Sequence, residues 1–449
     1  MKTNGMVTEA LRRASDTKAL EFGVGAIEKT GKMFRELFPS SRAVVVADRN
    51  TWKAAGERVF RNLESEGIEQ KAPFIIEDEH FYAEWSFLER LEAFLATDDA
   101  IAVAVGSGVI NDLTKLASDH LGRRYIIVGT AASMDGYTAF GASITKDGNK
   151  QTFNCRAPYG MVFDPQIAAL APKDLAASGY ADLIAKVPAA ADWIIADALG
   201  EEKIDEFAYT LLHNDLMSAL SSPTDVLAGD VEATEKLAYG LIMSGFAMQA
   251  IQSSRPASGT EHQFSHCWDM EGLSYPDGTH VSHGFKVGIG TIVSTLELEF
   301  LLSKDIENID TDAVVASWKS WEEMETEIRT LCEGKPGHLA RCLEETRAKY
   351  IDREQLRERV ELLKSCWGEM SAKIRKVLIP SEKVYENLKA VGAPYEPEMI
   401  CVSRSHLRET FSFIPFMRSR FTNIDLLYRL GYLDEFTQTL FGKGGRWEI

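Results

Sequence analysis

Cysteine is scarce in this chain, and it never occurs in a CxxC pair. Six cysteines are spread over 449 residues, which suits reduced thiols better than a disulfide framework or a zinc site made of paired thiolates. Apolar runs long enough to cross a bilayer are also missing, and the N-terminus MKTNGMVTEALRRASD lacks the unbroken apolar segment of a secretory signal. We therefore expect reduced thiols, no membrane insertion and a cytoplasmic location.

Positive charge is in deficit. The formal net charge is −18 and the isoelectric point is near 5.1, which argues against nucleic acid or an anionic membrane surface as a partner. Hydrophobic residues at 45% and charged residues at 26% are typical of a globular protein. An anionic metabolite would need a local cationic site, which a metal ion or a few lysines and arginines could supply.

The pattern of the chain predicts two domains. Short β-branched runs (RAVVVAD, APFIIE, AIAVAVGSG, RYIIVGTA) alternate with amphipathic segments up to about Pro165, as in βαβ units that form a parallel sheet. The segment FGASITKDGNKQTFNC alternates around Asp147-Gly148 and predicts a hairpin. Almost everything beyond Pro172 has helical periodicity. We expect an α/β domain over residues 1–172 and an all-α domain over residues 173–449.

A third glycine is missing from the strand-to-helix turn GSG at residues 106–108, so the dinucleotide fingerprint GxGxxG is incomplete. A buried strand followed by GSG and an amphipathic helix still allows backbone N–H groups to face a phosphate. A tight turn without a ligand is an equally good interpretation. Asp48 ends the first clear strand, where it could bind an adenosine ribose or cap the next helix.

Histidines are concentrated in one region. Four of the nine lie between His262 and His283, and His262 and His266 share a face if their segment is helical. Asp182 stands in a small, apolar helix upstream, with Lys186 one turn later. Two imidazoles and a carboxylate can bind a divalent metal that acts as a Lewis acid. Asp192 is an alternative carboxylate and His280 an alternative imidazole. The non-functional alternative is that His262 and His266 are ordinary polar partners and that Asp182 is a charge near the start of a helix.

The segment TAASMDG, which ends at Gly136, follows the fourth predicted strand. Open α/β sheets place ligand-binding loops at this position, although a turn closed by the Asp135 side chain is the alternative.

Together these segments resemble the glycerol-1-phosphate dehydrogenases, a branch of the superfamily that also contains glycerol dehydrogenase, iron-dependent alcohol dehydrogenases and dehydroquinate synthase. The resemblance covers about residues 40–295 and rests on the ordered motifs VGSGVINDLTK, GTAASMDGY, GYADLIAK, ADW, RPASGTEHQFSH and HGFKVGIGT. It implies a dehydroquinate synthase-like fold, with a nucleotide-binding α/β domain followed by a helical domain that binds metal and substrate.

The resemblance also implies roles for individual residues. Asp182, His262 and His283 would bind the metal, with zinc expected and nickel or iron also compatible. Asp135, Asp182 and His266 would contact substrate, and His266 would be the catalytic proton relay. Phe285 stands where the family often has Glu, so no supporting carboxylate is expected from that position. The residues implied around NAD or NADP, besides Asp48, are Gly106, Ser107, Gly108, Val109, Ile110, Thr130, Ala131, Ala132 and Ser133.

The reaction implied is hydride transfer between NAD(P)H and a small ketone phosphate, with dihydroxyacetone phosphate and sn-glycerol 1-phosphate as the expected pair. Lys186 and Lys286 are candidates for the substrate phosphate, and the family suggests a homo-oligomer. Alternatives are an unphosphorylated polyol or alcohol dehydrogenase, a metal-dependent lyase or cyclase that uses NAD transiently, and a catalytically silent nucleotide-binding or scaffold protein.

Overall fold

The computed structural model describes residues 4–78 and 80–449. The chain divides into two compact units. The first consists of Met1–Leu183, Glu206–Pro256 and Ala390–Ala393, and the second of Ile184–Asp205, Ala257–Lys389 and Pro394–Ile449. The predicted division at residue 172 stays a prediction.

A six-stranded sheet forms the centre of the first unit. Its strand order is β1-β8-β5-β4-β2-β3, and every neighbouring pair is parallel. The central strands β2, β4 and β5 are buried along their whole length, which explains their unbroken β-branched and small apolar sequences. The strands, including the separate pair β6 and β7, are β1 Ala19–Phe22, β2 Ala43–Asp48, β3 Phe74–Ile76, β4 Ile101–Gly106, β5 Ile126–Gly129, β6 Ala142–Lys146, β7 Asn149–Phe153 and β8 Gly160–Phe163.

Helices make up most of the remaining described chain. They are α1 Asn4–Arg13, α2 Thr30–Leu37, α3 Arg49–Thr51, α4 Glu57–Ser65, α5 Trp85–Leu95, α6 Gly108–His120, α7 Pro165–Ala169, α8 Lys173–Ile184, α9 Lys186–Ala198, α10 Glu206–His213, α11 Leu216–Ala219, α12 Pro223–Ala228, α13 Val231–Ile251, α14 Thr260–Met270, α15 His283–Leu302, α16 Thr311–Ser317, α17 Trp321–Leu331, α18 Pro336–Lys349, α19 Arg353–Val377, α20 Ser381–Ala390, α21 Arg404–Phe413, α22 Asn423–Arg429 and α23 Leu433–Phe441. Shorter 3-10 or π segments lie at Ala26–Lys29, Trp52–Gly56, Pro397–Ile400 and Ile414–Phe416.

The predicted succession of an α/β region and a helical region is confirmed. All four β-branched runs are strands, and no strand among the described residues follows β8. The hairpin is also present: β6 and β7 are antiparallel, and Asp147 and Gly148 have φ values of 52° and 76°, as its two-residue turn requires. Sequence analysis did not identify strands β1 and β8, which lie outside the four β-branched runs.

The helical second unit is also locally specified by its sequence. The 25-residue helix α19 begins after Asp352, whose side chain accepts the Gln355 N–H while the Gln355 side chain accepts the Asp352 N–H. Such reciprocal capping fixes where a helix starts. Among the described residues, none of the helices combines the length and the apolar composition that crossing a membrane requires.

Candidate functional site

The sheet reverses its direction of winding between β2 and β4. The chain passes from β2 outward to β3, then returns to place β4 on the other side of β2. Ligands of open α/β sheets bind at the carboxyl ends of strands that flank such a reversal. Asp48 ends β2 and Gly106 ends β4, so both predicted cofactor residues lie at that edge.

The turn after β4 leads directly into α6, as the sequence predicted. Ser107 is the N-cap residue, but its side chain makes no capping hydrogen bond. The two glycines differ in their surroundings. A Cβ at Gly106 would lie 2.6 Å from the Ile110 side chain, whereas a Cβ at Gly108 would meet only Met134, at 3.5 Å. Gly106 is therefore required for packing, while the fold leaves space for a side chain at Gly108.

Asp48 caps the helix that follows it. Its Oδ1 accepts the N–H groups of Asn50 at 2.7 Å and Thr51 at 3.1 Å, and its Oδ2 accepts the Thr51 hydroxyl at 2.9 Å. The capping interpretation is thus confirmed, and the ribose role stays a prediction.

Lys115 anchors the loop after β5, a role that sequence analysis missed. Its buried ammonium donates to the carbonyl oxygens of Gly136, Ala139 and Gly141 at 2.9, 3.0 and 3.0 Å. The signal was a lysine inside the apolar face of the helix NDLTKLASDH. Loop residues 130–133, predicted to line the dinucleotide, are all buried in this structure.

Asp135 and Asp182 are joined through the same loop. The Asp135 N–H donates to Asp182 Oδ2 at 3.0 Å, and Ser244 donates its hydroxyl to Asp135 Oδ2 at 2.8 Å. Two glycines permit this approach. A Cβ at Gly179 would lie 2.0 Å from the Ala132 carbonyl oxygen, and one at Gly245 would lie 2.7 Å from the Asp135 carbonyl oxygen. The motif GYADLIAK therefore needs glycine at its first position, Gly179, so that α8 can pack on the loop.

The histidines are carried by α14 and the start of α15. The ring centroids of His262 and His283 lie 5.2 Å apart, and those of His262 and His266 lie 6.4 Å apart. Gly290 lets α15 approach α14 closely, because a Cβ there would be 2.4 Å from the Glu261 carbonyl oxygen. The motif HGFKVGIGT thus provides both a histidine and the glycine that allows the approach.

Asp182, His262 and His283 each offer one ligand atom, and these atoms lie within 4.8 Å of one another. The alternatives from the sequence are not in this group. Asp192 accepts the backbone N–H groups of Thr260 and Asn423, each at 2.7 Å. His280 is exposed, and its Nδ1 lies 3.3 Å from the Ser274 hydroxyl.

Glu261 supplies the supporting carboxylate that was not expected from position 285. Its Oε1 lies 2.7 Å from His262 Nδ1 and accepts the Gly259 N–H at 2.6 Å. A carboxylate on one ring nitrogen fixes the tautomer and leaves the other nitrogen available to a metal. The signal in the sequence was that Glu261 directly precedes His262 in RPASGTEHQFSH. Helical periodicity alone does not show that two neighbouring side chains interact.

His266 stands one helical turn after His262, and it is not in the group of three. Burial, and next the charge of Arg418, lower the pKa of His266 well below its usual range. Arg418 donates to the Ser258 hydroxyl at 2.8 Å and was not singled out from the sequence. Lys286 is already engaged, since it forms an ion pair with Asp269 and donates to the Val281 carbonyl at 3.0 Å.

Three buried carboxyl groups lie on α9, α14 and α15, namely Asp192, Glu261 and Glu297. Burial raises the pKa of Glu261 to about 7, and burial with the nearby Asp192 and Glu261 raises the pKa of Glu297 well above its usual value. Both Glu297 oxygens lack a hydrogen-bond partner among the described residues. This concentration of carboxyls favours a cation nearby.

Glu297→Gln should stabilise the protein increasingly as pH rises. Because the pKa of Glu297 is raised in the folded state, above pH ~4.5 the folded chain binds a proton that the unfolded chain has lost. The wild type should then lose up to about 1.4 kcal/mol of unfolding free energy per pH unit until the folded pKa is passed. Denaturation midpoints at pH 5 and pH 8 measure this. The exposed control Glu358→Gln should change little, and an equal effect of Glu297→Gln at both pH values would contradict the assignment.

Comparison with known proteins places these motifs in a family. Residues 21–172 match the family model described as iron-containing alcohol dehydrogenase. The chain is 34% identical over 257 residues to glycerol-1-phosphate dehydrogenase [NAD(P)+] of Halalkalibacterium halodurans, covering 56% of this chain and 63% of that protein. It is 34% identical over 274 residues to the enzyme of the same name from Methanothermobacter thermautotrophicus, covering 60% of this chain and 75% of that protein.

The fold has solved counterparts. Glycerol dehydrogenase from Schizosaccharomyces pombe aligns with a TM-score of 0.60 and 15% identity, over 97% of this chain and 94% of that one. This likeness confirms the predicted fold class of a nucleotide-binding α/β region followed by helices. The chain covers 75% of the Methanothermobacter thermautotrophicus enzyme at 34% identity. The chain therefore belongs to the glycerol-1-phosphate dehydrogenase family.

Proposed function

We propose that this chain is a metal-dependent oxidoreductase that transfers hydride between NAD(P)H and dihydroxyacetone phosphate, with sn-glycerol 1-phosphate as the product. The observation that carries the proposal is the convergence of ligand atoms from Asp182, His262 and His283. The names of the curated relatives support the substrate and the cofactor. The chain spans just under two thirds of the first of these relatives.

The donor set fits a divalent metal. One carboxylate and two imidazoles suit zinc, and nickel or iron are compatible. Glu261 holds His262 Nδ1, so Nε2 of that ring is the atom available as a ligand. When bound, a metal would supply Lewis-acid polarisation of the substrate carbonyl, and NAD(P)H would supply the hydride.

The protein's own groups would hold the substrate and move its proton. The Asp135 carboxylate, positioned by Ser244, is the proposed contact for a substrate hydroxyl. His266 has a lowered pKa, so its ring is neutral near pH 7 and can pass a proton between its two nitrogens. Arg418 joins Lys186 as a candidate ligand of the substrate phosphate, because the charge of Arg418 lies close enough to His266 to lower the pKa of that ring. Lys286 is less suited, since Asp269 already neutralises it.

The cofactor is proposed to bind at the edge where β2 and β4 end. Gly106 through Ile110 would face the pyrophosphate, Thr130 through Ser133 would line the dinucleotide, and Asp48 would lie toward the ribose. The winding reversal of the sheet and the uncapped start of α6 support this placement. Homo-oligomerisation and a cytoplasmic location remain predictions.

Dihydroxyacetone phosphate should be reduced at least tenfold more efficiently than dihydroxyacetone. Contacts to a phosphate remote from the carbonyl orient the ketone for hydride transfer, so their loss should lower kcat/KM. The decrease in nicotinamide absorbance, measured with NADH and with NADPH, compares the two ketones. An enantiomer-specific assay then identifies the product.

Each result has a clear meaning. Equal use of the two ketones would favour an unphosphorylated polyol dehydrogenase, and a 3-phosphate product would contradict the proposed facial selectivity. Absence of turnover with every ketone, despite bound cofactor, would favour a catalytically silent nucleotide-binding protein.

A further inference from the structure

A second group of potential metal ligands lies at the other end of α14. Cys267 is in the last turn of the helix, Glu271 is its C-cap residue, and His338 is in the first turn of α18. Each offers one ligand atom, and the three atoms lie within 4.8 Å of one another. None of these residues belongs to the group formed by Asp182, His262 and His283.

Two of the three polar groups are poorly satisfied in the described structure. Cys267 is fully buried, and the only hydrogen bond described for its Sγ is a 4.0 Å contact to Glu271 Oε1. His338 is 8% exposed, and its Nε2 is buried without a hydrogen-bond partner among the described residues. A buried nitrogen left without a hydrogen bond destabilises the folded state. A bound cation would offset that destabilisation.

Glu271 is oriented so that one oxygen remains toward the cysteine. Its Oε2 lies 2.8 Å from His406 Nε2, while its Oε1 is the atom near Cys267. Carboxylates that bind metals are commonly hydrogen-bonded by a second residue, and His406 is placed to form such a hydrogen bond with Glu271. The Lys335 ammonium lies 4.0 Å from Oε1 but also 3.6 Å from Glu409 Oε1. It can therefore remain paired with Glu409 if a metal takes its place beside Glu271.

We propose that Cys267, Glu271 and His338 form a second, structural metal site for a zinc-like divalent ion. Thiolate, imidazole and carboxylate together suit zinc, and the thiolate disfavours magnesium and calcium. In a tetrahedral site with bonds of about 2.0–2.3 Å, ligand atoms are separated by roughly 3.3–3.8 Å, so a small inward rotation of these side chains suffices. Binding replaces the thiol proton, which is released to solvent, and links α14 to α18.

Cobalt is the probe for this site, because a thiolate ligand gives Co²⁺ a charge-transfer band in the near ultraviolet that imidazole and carboxylate ligands do not give. The full-length chain, stripped by a chelator and kept reduced, should bind two Co²⁺ and develop this band. Cys267→Ser should bind one Co²⁺ and lose the band, and His338→Gln should weaken the affinity of the thiolate site at least tenfold. His262→Ala should keep the band while losing the other ion.

Cys155→Ser is the matched control, because Cys155 is also buried but belongs to the first unit; it should keep both ions and the band. Denaturation midpoints measured without metal show whether each variant folds. If Cys267→Ser does not fold, the metal affinity of His338→Gln tests the proposal instead. The proposal is overturned if metal-saturated wild type shows no thiolate band, if the band survives in Cys267→Ser, or if His338→Gln binds the ion that gives the band as tightly as the wild type. Both results are independent of activity.

Discussion

Asp182→Asn and His262→Ala should each strip the chain of its proposed catalytic metal and lower kcat/KM roughly 100- to 1,000-fold, because Lewis-acid stabilisation contributes several kcal/mol to such a reaction. Asp182→Asn keeps the shape of the side chain but removes its charge. It should still accept the Asp135 N–H through its amide oxygen, so the loss reports on the metal and not on the loop. Metal content by mass spectrometry and turnover with dihydroxyacetone phosphate are the two measurements.

His266→Ala tests whether His266 is a metal ligand or the proton relay. It should retain the metal and lose turnover, because His266 lies outside the group of three ligand atoms. The exposed His280→Ala is the matched control and should change neither quantity. Loss of metal in His266→Ala would show that ligand and relay had been exchanged. Full activity of metal-free wild type would refute the Lewis-acid role altogether.

The central sheet was predictable because its strands are buried on both faces. Such strands must be continuously apolar, so β2, β4 and β5 stand out from the amphipathic helices between them. Strand β1 gave no comparable signal because its residues are only partly buried, and β8 (GMVF) has a single β-branched residue where β5 (IIVG) has three. The order of the strands in the sequence also does not reveal that β4 pairs with β2 on the side opposite β3. This reversal places Asp48 and Gly106 at one edge of the sheet.

The candidate site was predictable where chemistry is concentrated in one short segment. His262, His266 and His283 stand out because four histidines occur close together. Asp182 stands out as a carboxylate in a small, apolar helix, and motif resemblance favoured it over Asp192. Lys115 and Glu261 were missed for a different reason. The first acts on carbonyl groups more than twenty residues away, and the second acts on its immediate neighbour. Neither arrangement has the periodicity from which side-chain contacts on a helix can be predicted.

Gly108→Val should weaken the binding of NADH and NADPH at least tenfold while leaving the fold and the metal content almost unchanged. The added side chain would project where the N–H groups at the start of α6 are proposed to approach the pyrophosphate. The structure makes this a clean test, because a Cβ at Gly108 meets only Met134 at an ordinary 3.5 Å.

Titration of nicotinamide fluorescence with the purified variant measures the loss, and the denaturation midpoint checks the fold. Gly106→Ala is the informative comparison, because its Cβ would lie 2.6 Å from Ile110. That variant should lose stability as well as affinity, so the two glycines should be separable by the midpoint alone. If Gly108→Val bound both nucleotides as tightly as the wild type, the pyrophosphate would have to bind elsewhere than at the carboxyl end of β4, and the role proposed for residues 106–110 would be wrong.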